Sequence, residues 1–292
     1  MCPETHSACN PGFVVHIQDV VRLIRSNHLD TQRGRLPRGP VACGFSLLEL
    51  LIVVAISVVL AALLLPAFKT ASSKGKSTVC LNQLKQFSVA AQVYAGDNAG
   101  VLVPNLQASD TNSWVAGSMK VEKQATDPTL IRQAKLFPYV GQATVFRCPA
   151  DDSRATNANL RLRSYAMNSW IGGRSMEANG TGNGTGRLNF RTFVKEAEFA
   201  VRNAATVWLF ADEHEATIDD GFFEVTMDDS RPFASFPAQR HQNGFGLNFV
   251  DGHAETWRMR DPESKLIGQS VGSFSAKNSD WLRLKQVTTV PQ

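Results

Sequence analysis

The chain has 292 residues, 43% of them hydrophobic, and a formal charge of +4. Beyond an apolar N-terminal region, what remains fits one domain of ordinary size, alone or with a large insertion. The positive excess does not call for nucleic acid. It collects at Arg22, Arg25, Arg33, Arg35 and Arg38, ahead of the first apolar run and with no acid between Asp30 and Glu49, an arrangement that holds the leading end of a membrane segment in the cytoplasm. Lys69, Lys74 and Lys76, on the far side, dilute that asymmetry.

Residues 11–25 are weakly amphipathic, and the apolar run follows from Leu47 to Leu65. About 20 apolar residues suffice to span a bilayer, so a plain transmembrane anchor is the simplest reading of this run. An ordinary secretory signal does not fit, because its cleavage site follows its apolar stretch, whereas the small residue here, Gly44, precedes it. One acid, Glu49, interrupts the start of the run. A carboxylate at that depth is costly and marks a functional residue.

Pro66 either bends the helix or is absorbed by it, and the polar stretch from Lys69 to Ser77 carries the chain out of lipid. Leu81, Leu84, Phe87, Ala91 and Tyr94 then recur at spacings of three and four, which predicts an amphipathic helix packed on a sheet. Asp97-Asn98-Ala99-Gly100 supplies its stop. Beyond residue 100 the texture becomes β-like. Strands are predicted at Thr206 to Ala211, Gly221 to Met227, Phe245 to Val250 and Ala254 to Met259. Asn243-Gly244 and Asp251-Gly252 give tight-turn signals, so an antiparallel meander is expected. The glycine-rich stretch 172–186 reads as a mobile loop.

The string Gly44-Phe45-Ser46-Leu47-Leu48-Glu49, leading into the apolar run, resembles the class III signal of type IV prepilins and type II secretion pseudopilins. Further strings extend the likeness over most of the chain: Cys80-Leu81-Asn82-Gln83-Leu84-Lys85-Gln86, Tyr94-Ala95-Gly96-Asp97-Asn98, Phe146-Arg147-Cys148-Pro149-Ala150-Asp151, Ser164-Tyr165-Ala166-Met167-Asn168, and His241 followed by Asp251-Gly252. These are similar to the prepilin-like, type II secretion G-like family with an H-x9-DG motif. The resemblance implies cleavage after Gly44 by a prepilin peptidase and N-methylation of Phe45. It also implies an α+β, pilin-like fold. Residues 1–44 would be the cleaved leader, 45–68 the transmembrane helix, 69–98 its amphipathic continuation, and 99–292 a β-rich head with an antiparallel sheet. The leader is long for this family; an extended leader and a downstream start both fit, and no internal methionine precedes Met119.

The same resemblance gives Glu49 a role in assembly, pairing with the α-amine of Phe45 on an adjacent subunit. A buried pair of this kind contributes specificity more surely than net stability. Cys80 and Cys148 are the cysteines that such a cleavage leaves, since Cys2, Cys9 and Cys43 precede it. Two cysteines in an exported domain invite a disulfide, with buried free thiols as the alternative. Their spacing is not a zinc-ligand pattern.

The acids Asp212, Glu213, Glu215, Asp219 and Asp220 follow a predicted strand. Oxygens converging there, from Asp212, Glu213, Asp219 and Asp220, would suit Ca2+, although the spacing is not that of an EF-hand and a solvated acidic loop is the simpler expectation. No other cofactor is expected. His241, Asp251 and Gly252 bracket a predicted hairpin, and His214 and His253 lie near acids. Turn geometry and a hydrogen-bonded histidine account for them without a reaction. No nucleophile elbow, HExxH helix or phosphate-binding glycine loop is present.

The expectation is therefore a non-enzymatic pseudopilin or minor-pilin-like subunit of a type II secretion or type IV pilus system. It would sit in the bacterial inner membrane with a single pass, its N-terminus cytoplasmic and its head extracytoplasmic. Its partners would be the prepilin peptidase, other pilin or pseudopilin subunits met through the N-terminal helix, and the membrane. Two alternatives remain open: a binding or adhesion head displayed on a pilin-type anchor, and an anchored hydrolase.

Overall fold

A computed structural model describes residues 46–106, 108–156, 158–173, 190–201, 203–227, 232–268 and 274–291. Most of the glycine-rich 172–186 stretch lies outside them. Contacts divide the chain into two compact units, Met1–Ser57 and Val58–Gln292. Of the first, residues 46–57 are described, and they form the start of a helix.

That helix, α1 (Leu47–Asp97), is one 51-residue element with Pro66 inside it. Proline is thus absorbed: its missing N–H leaves the carbonyl of Ala62, one turn earlier, without its helical donor, while the Pro66 carbonyl accepts a further bond from Thr70 Oγ1 at 3.1 Å. From Leu47 to Phe68 the side chains are exposed and mostly apolar. From Cys80 onward one face is buried, through Cys80, Leu84, Phe87, Ser88, Ala90, Ala91 and Ala95. Leu84, Phe87 and Ala91 are buried as the apolar pattern suggests, while at its two ends Cys80 and Ala95 lie in the core and their neighbours Leu81 and Tyr94 pack at its margin.

The sheet has five strands, β1 (Tyr165–Asn168), β2 (Trp208–Asp212), β3 (Phe222–Phe223), β4 (Gly244–Phe249) and β5 (Ala254–Arg258), in the order β3-β1-β2-β4-β5. The pairs β1/β2, β2/β4 and β4/β5 are antiparallel. β3 pairs with β1 in parallel, Met167 opposite Phe222 and Asn168 opposite Phe223. The fold is α+β, but the expected antiparallel meander is corrected to a mixed sheet. Both edges of β2 are taken, by β1 and β4, so β3 crosses over to the remaining edge of β1. β1 was not among the predicted strands.

The sheet is covered on both faces. On one, Phe87 of α1 sits among aromatic rings, 5.0 Å from Phe146, 5.1 Å from Phe210, 5.7 Å from Tyr165 and 5.9 Å from Trp114 between centroids. These separations fall in the range where edge-to-face and offset pairs add to burial. Three short helices, α2 (Glu122–Ala125), α3 (Pro128–Gln133) and α4 (Phe137–Val140), lie between α1 and the sheet in sequence. α3 begins with Pro128 after Asp127, whose carboxylate accepts the Thr129 N–H at 2.9 Å. On the other face, a second core gathers Trp208, Phe223, Phe245, Trp257 and the C-terminal α5 (Ser279–Gln286), which buries Trp281 and Leu284. Asn278 caps α5 by accepting from the N–H groups of Asp280 and Trp281.

Candidate functional site

Glu49 stands in the first turn of α1. Its Oε2 accepts the Ser46 N–H at 3.0 Å, and Ser46 Oγ accepts the Leu48 N–H at 3.3 Å. This is a capping-box relationship, in which a serine and the glutamate three residues on satisfy helix-start donors that have no partner within the helix. The S-x-x-E spacing was there in the sequence, and reading Glu49 only as an intramembrane acid overlooked it. Gly44 and Phe45 lie outside the described residues. Among the described residues, α1 is the one helix long and apolar enough to cross a membrane.

The head holds a second constellation. Cys80 comes from the buried face of α1. Cys148 opens a turn with Pro149 at its second position, closed by Asp151 N–H to Cys148 O at 3.0 Å. Asp212 ends β2 opposite Tyr165 of β1. His241 precedes β4, where Gln242 and Asn243 take left-handed φ values of 55° and 62° and the His241 N–H bonds Gly244 O at 3.0 Å. These turns place Cys80 Sγ, Cys148 Sγ, an Asp212 oxygen and a His241 ring nitrogen all within 4.8 Å of one another. All four residues are buried, at 0%, 0%, 0% and 3% exposure.

Cys148 Sγ is 3.3 Å from His241 Nε2, and Asp212 Oδ2 is 3.6 Å from the same nitrogen. Tyr165 OH lies 3.3 Å from Cys80 Sγ and donates to Gln83 Oε1 at 2.7 Å. Arg240 holds the other side of Asp212, donating from Nη1 to Asp212 Oδ1 and from Nη2 to Glu215 Oε2 at 2.9 Å, with Asp151 Oδ1 3.3 Å away. Sequence reasoning missed Arg240, which carries no motif signal of its own, and met Tyr165 only as part of the Ser164 to Asn168 string, with no role at a site. It also missed Arg163, fully buried and donating to the backbone oxygens of Gly117, Tyr165, Asp219 and Asp220.

The electrostatics follow from burial and crowding. Burial pushes the Asp212 carboxyl up to about 8, against the pull of Arg240. A hydrogen bond from Cys148 is the largest influence on Cys80 and, with His241, brings it down to about 5 in spite of burial. The same bond, together with burial, raises Cys148. Burial opposes a proton on His241, but the bond to Cys80 and its charge, with Asp212, raise it. Such a group can hold a soft metal ion or join its two sulfurs.

The other predicted residues part company. Cys80 and Cys148 are adjacent but free, so the expected disulfide is not formed. The four acids proposed for Ca2+ do not converge. Asp212 points into the cysteine group, while Glu213, just past the end of β2 and still extended in a bridge to Pro237, faces the opposite side, near Thr217, Arg163 and Ser235, where burial holds it well above the ordinary carboxylate range. Asp219 and Asp220 lie beyond, in the loop entering β3, with Asp219 3.6 Å from Lys120.

Asp251 and Gly252 form the β4/β5 turn: Gly252 has φ 95°, and Asp251 Oδ1 takes the His253 N–H at 3.1 Å. His241 and this turn therefore frame β4 alone, not the whole hairpin. His214 and His253 are apart from the cysteine group; the ring of His253 stacks on Phe249 at 4.2 Å.

No family model, no curated protein and no solved structure matches this chain.

Proposed function

We propose that this protein is a membrane-anchored, pilin-like structural subunit, cut after Gly44, N-methylated at Phe45 and assembled through α1 into a fibre of a type II secretion or type IV pilus machine. The observation that carries this reading is α1 itself. One continuous helix exposes an apolar stretch over its first part and buries a single face in the head over its last. At about 1.5 Å per residue, the stretch from Leu47 to Phe68 is about 33 Å long, the thickness of a bilayer's hydrocarbon core. A soluble helix with that surface would leave far more apolar area in water than monomers tolerate.

In this reading Glu49 does two jobs in succession. It caps the helix start through Ser46 N–H, and after cleavage its charge meets the new amine of a neighbouring subunit. The burial of the Cys80, Cys148, Asp212 and His241 group favours a role in holding the head to α1 over catalysis.

The test is the N-terminal sequence and intact mass of the protein isolated from its own membrane. A chain beginning at methylated Phe45 supports the subunit. A chain that retains the residues before Phe45 makes α1 an ordinary anchor and moves the function to the head, as a displayed binding module.

A further inference from the structure

We propose that Cys80, Cys148, Asp212 and His241 form a structural zinc site that clamps α1 to the head. Three observations on the described residues carry this. The first is the donor set. Two sulfurs, one imidazole and one carboxylate are the ligand types zinc takes, and a closed set of four is its structural form. Calcium is excluded by the sulfurs, because it takes oxygen ligands.

The second is the spacing. Ligands about 2.0 to 2.3 Å from a tetrahedral zinc lie about 3.3 to 3.8 Å from each other. Cys148 Sγ to His241 Nε2 is 3.3 Å, His241 Nε2 to Asp212 Oδ2 is 3.6 Å, and all four atoms fit within 4.8 Å.

The third is an unmet demand. Asp212 Oδ2 is buried without a hydrogen bond, an arrangement that native interiors rarely leave uncorrected, and it faces the other three ligands. Its companion Oδ1 is already engaged by Arg240.

As ligands, both sulfurs bind as thiolates and Asp212 as a carboxylate, three negative charges against the dication's two, and the Arg240 guanidinium beside Asp212 faces the excess. A supporting donor is in place as well, with the Ala150 N–H 3.4 Å from Cys148 Sγ. Outer partners of this kind orient ligands and tune the ion. The four ligands come from α1, the Cys148 turn, β2 and the approach to β4, so one ion ties together segments remote in sequence. The free energy of binding would then be folding free energy.

The experiment uses the full chain in detergent, purified under reducing conditions without a histidine tag. Elemental analysis should find about one zinc per chain. Replacement by Co2+ should give a thiolate-to-metal charge-transfer band and the intense visible absorption of a tetrahedral ion. His241→Ala should lose the metal. His241→Cys should keep it and strengthen the charge-transfer band, which answers the question even if the alanine variant fails to fold. Either of two results overturns the proposal: a wild-type chain that stays metal-free in added zinc with both thiols free, or a Cys80–Cys148 disulfide found by peptide mapping of chain isolated without reductant and with its free thiols blocked. Neither depends on how the N-terminus is processed.

Discussion

Asn248 of β4 donates its side-chain N–H to Ser88 Oγ of α1 at 2.6 Å, and both residues are fully buried. The same amide donates to Leu84 O, and its Oδ1 accepts the Phe210 N–H at 2.6 Å, where the β2/β4 register shifts between Trp208 and Phe210. Ser88 Oγ in turn donates to Phe249 O at 3.3 Å. A single amide thus repairs an irregularity in the sheet and fixes the position of α1 along it.

Replacing Asn248 by alanine leaves the Phe210 N–H buried and unpaired, which should cost about 3 kcal/mol or more once the lost donors are counted. Ser88→Ala should cost about 1 kcal/mol. Because the two share a bond, the double variant should lose less than the sum. Urea unfolding of the four proteins measures this, and strict additivity would show the contact to be idle.

Gly246 marks where α1 comes nearest the sheet. A Cβ there would sit 2.8 Å from Leu84 Cδ1 and 3.2 Å from Cys80 Sγ. Gly246→Val should therefore destabilise the head by about 1 to 3 kcal/mol through overpacking, and Leu84→Ala in the same chain should return part of that loss. If the valine variant melts with wild type, the helix does not lie as close as described.

Asp220 supplies a pH test. Burial, chiefly, raises its carboxyl from 3.8 to about 6, with Asp219 adding to the shift and the Phe222 N–H and Arg163 opposing it. A raised carboxyl contributes stability that is complete below pH about 4 and is lost as pH rises through about 6. Asp220→Asn, which can still accept the Phe222 N–H, should match wild type at pH about 4 and exceed it by about 1 to 2 kcal/mol at pH about 7, after allowance for partial exposure. Melting curves across that window decide it; a difference that does not vary with pH would assign Asp220 no titration there.

The observed cap at Glu49 and its proposed pairing with a neighbouring subunit can be separated by choice of substitution. Glutamine retains the cap on Ser46 N–H but carries no charge; alanine lacks both. If assembly rests on a charge pair, crosslinking of neighbouring subunits in the membrane should fail in Glu49→Gln as fully as in Glu49→Ala. If only the cap matters, Glu49→Gln should assemble normally, and the cost of Glu49→Ala should be about 1 kcal/mol of helix stability.

The amino-acid sequence by itself determined what depends on near neighbours. α1, its apolar first part and its single buried face follow from residues three and four apart. Strands β2, β4 and β5 follow from their aromatic and β-branched content, and the Asp251-Gly252 turn from backbone demands met within a few residues. What the sequence left open depends on distance. β1 is short and wholly buried, so it shows no alternation; β3 falls within the strand expected at 221–227, but whether it pairs parallel or antiparallel is set by which strand edge is still free. Cys80, Cys148, Asp212 and His241 share no common motif because their proximity exists only after α1 has docked on the sheet, a contact between residues as many as 179 positions apart in Ser77 and Thr256. The Asp212 to Asp220 run shows the converse: neighbours in sequence are sent to opposite faces of a strand and beyond it. Side chains alternate across a strand whatever their charge, so an acidic run there does not make a common site.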